Sequence, residues 1–208
     1  MSKYLDLINE NNMEKLKEPA SVIKNGGIVV FPTETVYGIG TNAFNENAVR
    51  KLYDIKERPL NKPISLLVSD IEMAKKITTD ITELEYKIME KFFPGPLTLV
   101  LKKKDIIPDI VTSNFNTVGI RIPDNQIARK LIEYSGCPIA TTSFNISGKP
   151  SSDDLNDSSI NFENDVDYFI DGGKCKIGVA STVVQIIDGM PHILREGKIK
   201  ENDILALL

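Results

Sequence analysis

Residues 26–63 read GGIVVFPTETVYGIGTNAFNENAVRKLYDIKERPLNKP. The apolar, β-branched run Ile28-Val29-Val30-Phe31 has the composition of a buried strand. Pro32, which has no N–H to give a sheet ladder, ends it. Thr33, Glu34, Thr35 and Tyr37 then arrive as polar side chains at the end of a buried strand, and Gly38 and Gly40 loosen the backbone for a turn. A helix is predicted over 45–57, with Ala48, Leu52 and Ile55 on one face and Arg50, Lys51 and Asp54 on the other. It runs out at Lys56-Glu57-Arg58-Pro59. Hydroxyls at one strand end and paired cations at the far end of the next helix suit a phosphorylated ligand better than a structural turn.

Working outward, 13–25 carries a helical pattern (Leu16, Ala20, Ile23) closed by Gly26-Gly27. Strands are predicted at 64–68, 97–101, 117–123, 138–140, 166–170 and 181–187, the last joined through Asp188-Gly189 to 192–194 as a hairpin. Helices are predicted from Asp70, Thr82 and Asp124 as N-caps, and over 200–208. The cations Lys102-Lys103-Lys104 open a polar loop to Asn116, read as a solvated turn in preference to an RNA contact. The polar stretch 151–165 reads as a mobile loop that orders over bound ATP. Alternating strands and helices followed by a late hairpin predict a single α/β domain over 1–208, with a twisted mixed parallel and antiparallel sheet, flanking helices and an open concave cleft.

Composition narrows the chemistry. The 208 residues carry 25 Lys plus Arg against 29 Asp plus Glu, a net charge of −4 that disfavours non-specific nucleic-acid or membrane binding. MSKYLDLINENN lacks the apolar segment of a secretory leader, and no apolar run approaches the roughly 20 residues of a membrane span, so a cytoplasmic protein is expected. Cys137 and Cys175 form no CxxC pair, and with a single His192 a zinc site has too few ligands. GxxxxGK[ST] is absent, and the GxGxxA of 38–43 is separated from its strand by PTETVY, which argues against a dinucleotide fold. What remains is a distributed set of cations and hydroxyls: Thr33, Thr35, Lys56, Arg58, Lys62, Arg121, Thr141, Ser143, Asn145, Ser181, Thr182 and Arg195. Singly, each has a bland reading as a helix-end cation or turn former. Together they form an inventory for holding phosphates and carboxylates and for stabilising charge in transfer. Arg121, between Ile120 and Ile122, points either into a cleft or to solvent.

The segments PTETVYG, KERP with KP, PGPLT, VGIRIP, TTSFNISG, DGG, STVV and LREG occur in that order over nearly the whole chain, and they resemble the YrdC-like family of threonylcarbamoyl-AMP synthases that serve a tRNA modification. The resemblance implies that Lys56 and Arg58, with Ser143 and Asn145, grip ATP phosphates, with Lys56 and Arg58 the catalytic charge stabilisers beside Mg2+. It implies that Lys62, Thr117, Ser151 and Arg195 border ATP, and that Thr33, Thr35, Arg121, Thr141 and Ser181 cradle L-threonine. Bicarbonate is the third substrate it implies, and a tRNA threonylcarbamoyl-transferase complex the recipient of the product. Two departures stand out: longer relatives carry a second domain, and they place a histidine where this chain reads ISLLVS. The competing readings are a carbamoyl-transfer module like that of hydrogenase-maturation proteins, a double-stranded-RNA-binding module without catalysis, and a paralogue of other activity.

Overall fold

The computed structural model describes residues 2–8, 12–148, 150–155, 162 and 164–208. Its first elements are β1 (Lys3–Asp6), a 3-10 turn (Met13–Leu16), α1 (Lys17–Lys24), β2 (Val29–Phe31), β3 (Gly38–Asn42), α2 (Glu46–Ile55), β4 (Ser65–Leu67), α3 (Ile71–Ile77) and α4 (Glu83–Phe92). There follow β5 (Leu97–Lys102), α5 (Asp109–Thr112), β6 (Thr117–Arg121), α6 (Gln126–Ser135), β7 (Ile139–Ser143), β8 (Tyr168–Asp171), β9 (Thr182–Ile187), β10 (Met190–Arg195) and α7 (Glu201–Leu205). The strands form one mixed sheet in the order β1-β8-β2-β3-β7-β4-β6-β5-β9-β10. The β2/β8, β4/β6 and β5/β9 pairs are parallel, whereas β2/β3, β3/β7, β4/β7, β5/β6 and β9/β10 are antiparallel.

Strand periodicity divides the core in two. In β2, Ile28 and Val30 face one hydrophobic cluster while Val29 and Phe31 face the other, packed with Leu16, Ala20 and Ile23 of the first helical segment and Ile127, Leu131 and Ile132 of α6. A strand buried on both sides reads as an unbroken apolar run, which is why β2 stands out in the sequence. Asn45, Asp70 and Thr82 accept from helical N–H groups as N-caps, and Thr82 with Glu85 completes a capping box. At α6 the cap is Asn125, whose Oδ1 accepts from Ala128 N at 3.0 Å, and not the expected Asp124.

Two further expectations are corrected. Gly38 and Gly40 do not serve a turn: they lie in β3, between β2 and β7. A Cβ on Gly40 would stand 2.7 Å from Ile139 Cγ2 and 2.8 Å from the Ala140 carbonyl, so the glycines allow close strand approach. The 102–116 loop contains the short α5. Lys102 pairs with Asp80, Lys103 with Asp109 and the Ile107 carbonyl, and Lys104 with the Lys75 carbonyl. These cations staple the loop, in keeping with the solvated-turn reading. The expected mobile stretch 151–165 includes 156–161 and 163, outside the described residues; beside them, Phe162 is buried and edge-packed on Phe144 at 5.7 Å.

Candidate active site

Between β2 and β3 the chain makes a wholly buried loop, Pro32 to Tyr37. Thr33 organises it: its Oγ1 accepts from Thr35 N and Val36 N and donates to the Val36 carbonyl at 2.6 Å. The loop is docked from outside by Ile177 N on the Glu34 carbonyl, Gly178 N on the Thr35 carbonyl and Tyr37 N on the Ser152 carbonyl. Tyr37, fully buried, donates to the Gly173 carbonyl at 2.8 Å and to Asp171 at 3.1 Å, tying the DGG turn to the same loop.

This loop closes one end of a cleft of about 520 Å³ laid across one face of the sheet. Four strands present every second residue to it: Ser65 and Leu67 from β4, Thr98 and Val100 from β5, Thr117, Gly119 and Arg121 from β6, Val183 and Gln185 from β9, while the end of β7 adds Thr141, Thr142 and Ser143. The intervening Leu66, Leu99, Val118, Ile120, Ala140 and Val184 enter the core. The site therefore lies on a sheet face as well as at strand ends. A bulge in β10 between Ile193 and Arg195 breaks the alternation and turns Arg195 to the cleft beside Leu194.

Among the described residues four cations, Arg58, Lys62, Arg121 and Arg195, line the cleft, and no carboxylate does. Such a surface is built for anions. Arg195 donates from Nε to the Ser181 carbonyl and from Nη2 to Ser181 Oγ, both at 2.9 Å, and Ser181 Oγ lies 2.8 Å from Thr98 Oγ1. Burial, followed by the charges of Arg121 and Arg58, lowers the Arg195 pKa below the usual guanidinium value. Arg58 donates to the Lys62 carbonyl at 3.0 Å and the Pro63 carbonyl at 2.8 Å, so it also braces the KERPLNKP loop. Arg121, 7% exposed, donates from Nε to the Gly95 carbonyl at 3.1 Å and from Nη2 to Thr35 Oγ1 at 2.9 Å. The choice between cleft and solvent is resolved in favour of the cleft.

Lys56 is placed differently from the other cations. It is 1% exposed and lies off the cleft lining. Its ammonium donates to the Ser143 carbonyl at 2.5 Å, to the Asn145 carbonyl and to Asn145 Oδ1 at 2.8 Å. Asn145 Oδ1 also accepts from Ser143 Oγ at 2.7 Å. Lys56, Ser143 and Asn145 thus form one latch that presents Ser143 to the cleft. Burial, and then the charge of Arg58, pushes the Lys56 pKa down to about 7, while the surrounding carbonyl oxygens favour the charged form. As the structure stands, its ammonium is directed at protein carbonyls, not at the cleft where the phosphates were expected.

Of the other expected site residues, Thr33, Thr35, Lys62, Thr117, Thr141 and Ser181 line the cleft with Arg58, Arg121, Ser143 and Arg195. Asn145 and Ser151 do not, and the Thr182 hydroxyl is turned to the Ile199 carbonyl at 2.7 Å. Sequence reasoning missed Ser65, Thr98 and Gln185, each on the cleft-facing side of its strand. Alternation could have found them once Arg121 was placed. Sequence reasoning named Glu34 at the strand end but left it out of the site set; Glu34 is buried against the cleft-lining Arg121.

A family model described as "Telomere recombination", covering the Sua5, YciO and YrdC proteins, matches residues 21–197. The chain belongs to the Sua5/YciO/YrdC family. It is 40% identical over 190 residues to the threonylcarbamoyl-AMP synthase of Pyrococcus abyssi, covering 91% of this chain and 56% of that protein. It is 45% identical over 197 residues to a putative threonylcarbamoyl-AMP synthase of Methanocaldococcus jannaschii, covering 95% of this chain and 92% of that one. The solved structure of Pyrococcus abyssi Sua5 complexed with L-threonine superposes with a TM-score of 0.93 at 37% identity, over all of this chain and 61% of that one. The chain thus spans little more than half of the Pyrococcus synthase and nearly the full length of the Methanocaldococcus protein. Within the Sua5/YciO/YrdC fold, the cation-lined cleft is the candidate active site.

Proposed function

We propose that this chain condenses L-threonine, bicarbonate and ATP into threonylcarbamoyl-AMP and pyrophosphate. The observation that carries this reading is a cleft that, among the described residues, is lined by four cations and no carboxylate, in a chain similar to threonylcarbamoyl-AMP synthases over most of its length. The threonine amine and bicarbonate combine to a carbamate with loss of water. A carbamate oxygen then attacks the α-phosphorus of ATP, and pyrophosphate departs. Negative charge gathers on the phosphate oxygens, where Arg58, Lys62 and Arg195 would meet it. Arg121 with Thr35 and Thr141 would hold the amino-acid carboxylate and hydroxyl. Lys56 and Asn145 act through the latch, by holding Ser143 and the strand end in place.

No acidic side chain lines the cleft, and no cluster of three potential metal-ligating residues occurs among the described residues. The described residues therefore offer Mg2+ no carboxylate cage, and the ion would enter on the triphosphate as part of the substrate. The product, a mixed anhydride, would pass to a tRNA threonylcarbamoyl-transferase complex. Among the described residues no helix is long and apolar enough to cross a membrane, and a cytoplasmic setting is part of the proposal. The deciding experiment follows pyrophosphate from MgATP with threonine and bicarbonate supplied singly and together. Release is expected only with both; equal release on omitting either one removes the assignment.

A further inference from the structure

Glu34 is 4% exposed, and its Oε1 lies 2.7 Å from Arg121 Nη2. The contact is an ion pair without hydrogen-bond alignment: neither carboxylate oxygen receives a directed N–H or O–H. Leaving a buried carboxylate so poorly solvated is costly. Among the described residues it is the only acid paired with a cleft-lining cation.

The donors of Arg121 show what the acid does. Of its five N–H groups, Nε is committed to the Gly95 carbonyl, and Nη2 lies between Thr35 Oγ1 and Glu34. Nη1 makes no hydrogen bond among the described residues. The hydroxyl relay behind it is polarised in one direction. Thr33 donates to the Val36 carbonyl, so at its 2.9 Å contact with Thr35 it must accept; Thr35 donates there and accepts from Arg121. Nε and Nη2 of the guanidinium are thus held by three contacts, and the Nη1 donors are left for a ligand.

We propose that Glu34 is a positioning residue for Arg121. It fixes the guanidinium of this cleft-lining arginine so that the uncommitted Nη1 donors can receive the amino-acid carboxylate, and does not itself touch substrate. This rests on the reading above that the carboxylate sits on Arg121. A carboxylate acting only as a counter-charge predicts the opposite result, since removing it would strengthen the attraction of Arg121 for an anion.

The test compares Glu34→Gln, Glu34→Asp and Arg121→Met with the unaltered chain in melting curves and pyrophosphate-forming kinetics, varying threonine and ATP separately. Glu34→Gln keeps the shape and removes the charge. It should raise the KM for threonine by roughly tenfold or more while leaving the KM for ATP within about twofold, the signature of a misdirected contact to one substrate. Glu34→Asp, which keeps the charge on a shorter arm, should fall between and provides the test if the Gln variant does not fold. L-Threoninamide, which has no carboxylate, should inhibit the Gln variant and the unaltered chain equally. An unchanged or lower KM for threonine in both Glu34 variants overturns the proposal, as does a parallel rise for ATP. If Arg121→Met leaves threonine binding intact, the underlying reading of the site fails; if it abolishes binding while the Glu34 variants do nothing, only the role of Glu34 falls.

Discussion

At the end of α2, Lys56 buries its ammonium among carbonyl oxygens, while Arg58, two residues on, turns its guanidinium to the cleft. The sequence presents them as a matched pair of cations; the structure separates a latch from a cleft-facing group. For Arg58→Ala the loss of two hydrogen bonds to loop carbonyls should cost roughly 1 kcal/mol of stability, while the loss of the guanidinium proposed to meet the ATP phosphates should cost ~100-fold or more in rate. A melting curve and a rate on one preparation check both, and a large drop in melting temperature with the rate intact would make Arg58 structural. Arg58→Lys should restore only part of the rate, because a point charge lacks the planar fork. For Lys56 the sign follows from its folded pKa of about 7, well below the unfolded lysine value. The unfolded chain binds the extra proton between those two values, so stability should rise with pH from about 7 towards about 10 and be flat below 7. Lys56→Met should remove that slope in melting curves taken across the range. An identical slope in the variant would assign it to other groups.

At the scale of elements, the most exacting packing lies at β3. Because a Cβ on Gly40 meets both a side chain and a backbone carbonyl of β7, Gly40→Ala should destabilise the chain by roughly 1–3 kcal/mol, read from denaturant unfolding. A neutral result would mean that β3 and β7 part more easily than their register implies. The cap of α6 offers a second test. Asn125→Ala should cost about 1 kcal/mol, whereas Asp124→Ala should stay within about 0.5 kcal/mol, since only the Asn125 side chain accepts from the helix. Both α6 positions are polar and one residue apart, so composition could not choose between them; the backbone path into the helix does.

For the whole molecule, the cleft draws lining residues from seven strands and the loops between them, so a ligand that fills it binds only the folded sheet. MgATP and L-threonine together, at about 100 times their Kd, should therefore raise the melting temperature by several degrees, corresponding to ~3 kcal/mol of linkage per saturated site. The absence of any shift with both present would contradict a substrate cleft. Replacing Lys102, Lys103 and Lys104 together by alanine should lower the melting temperature while leaving the KM for ATP unchanged, because their ammonium groups bind Asp80, Asp109 and backbone carbonyls away from the cleft. A rise in that KM would place the lysines in the ligand path.

Local chemistry explains what could be read in advance. A run buried on both faces, such as 28–31, needs continuous apolar residues; a cap needs a short polar side chain; a helix over 46–55 needs its apolar stripe. These requirements act over a few residues, so they are written in consecutive letters, and the mixed α/β sheet followed from their order. The ordered motifs likewise carried the family and the cations Arg58, Arg121 and Arg195. The glycine-rich β3 hid because its identity as a strand depends on the neighbours pressing on it from β2 and β7. Ser65, Thr98 and Gln185 hid because which face of a strand meets the cleft is set by sheet register across β4, β5 and β9. Likewise, the direction of the Lys56 ammonium and the pairing of Glu34 with Arg121 depend on contacts 89 and 87 residues apart in the chain. The sequence determined which side chains were present and which elements would carry them; only tertiary packing decided where each polar group would point, because a buried charge takes whatever partner the folded neighbours supply.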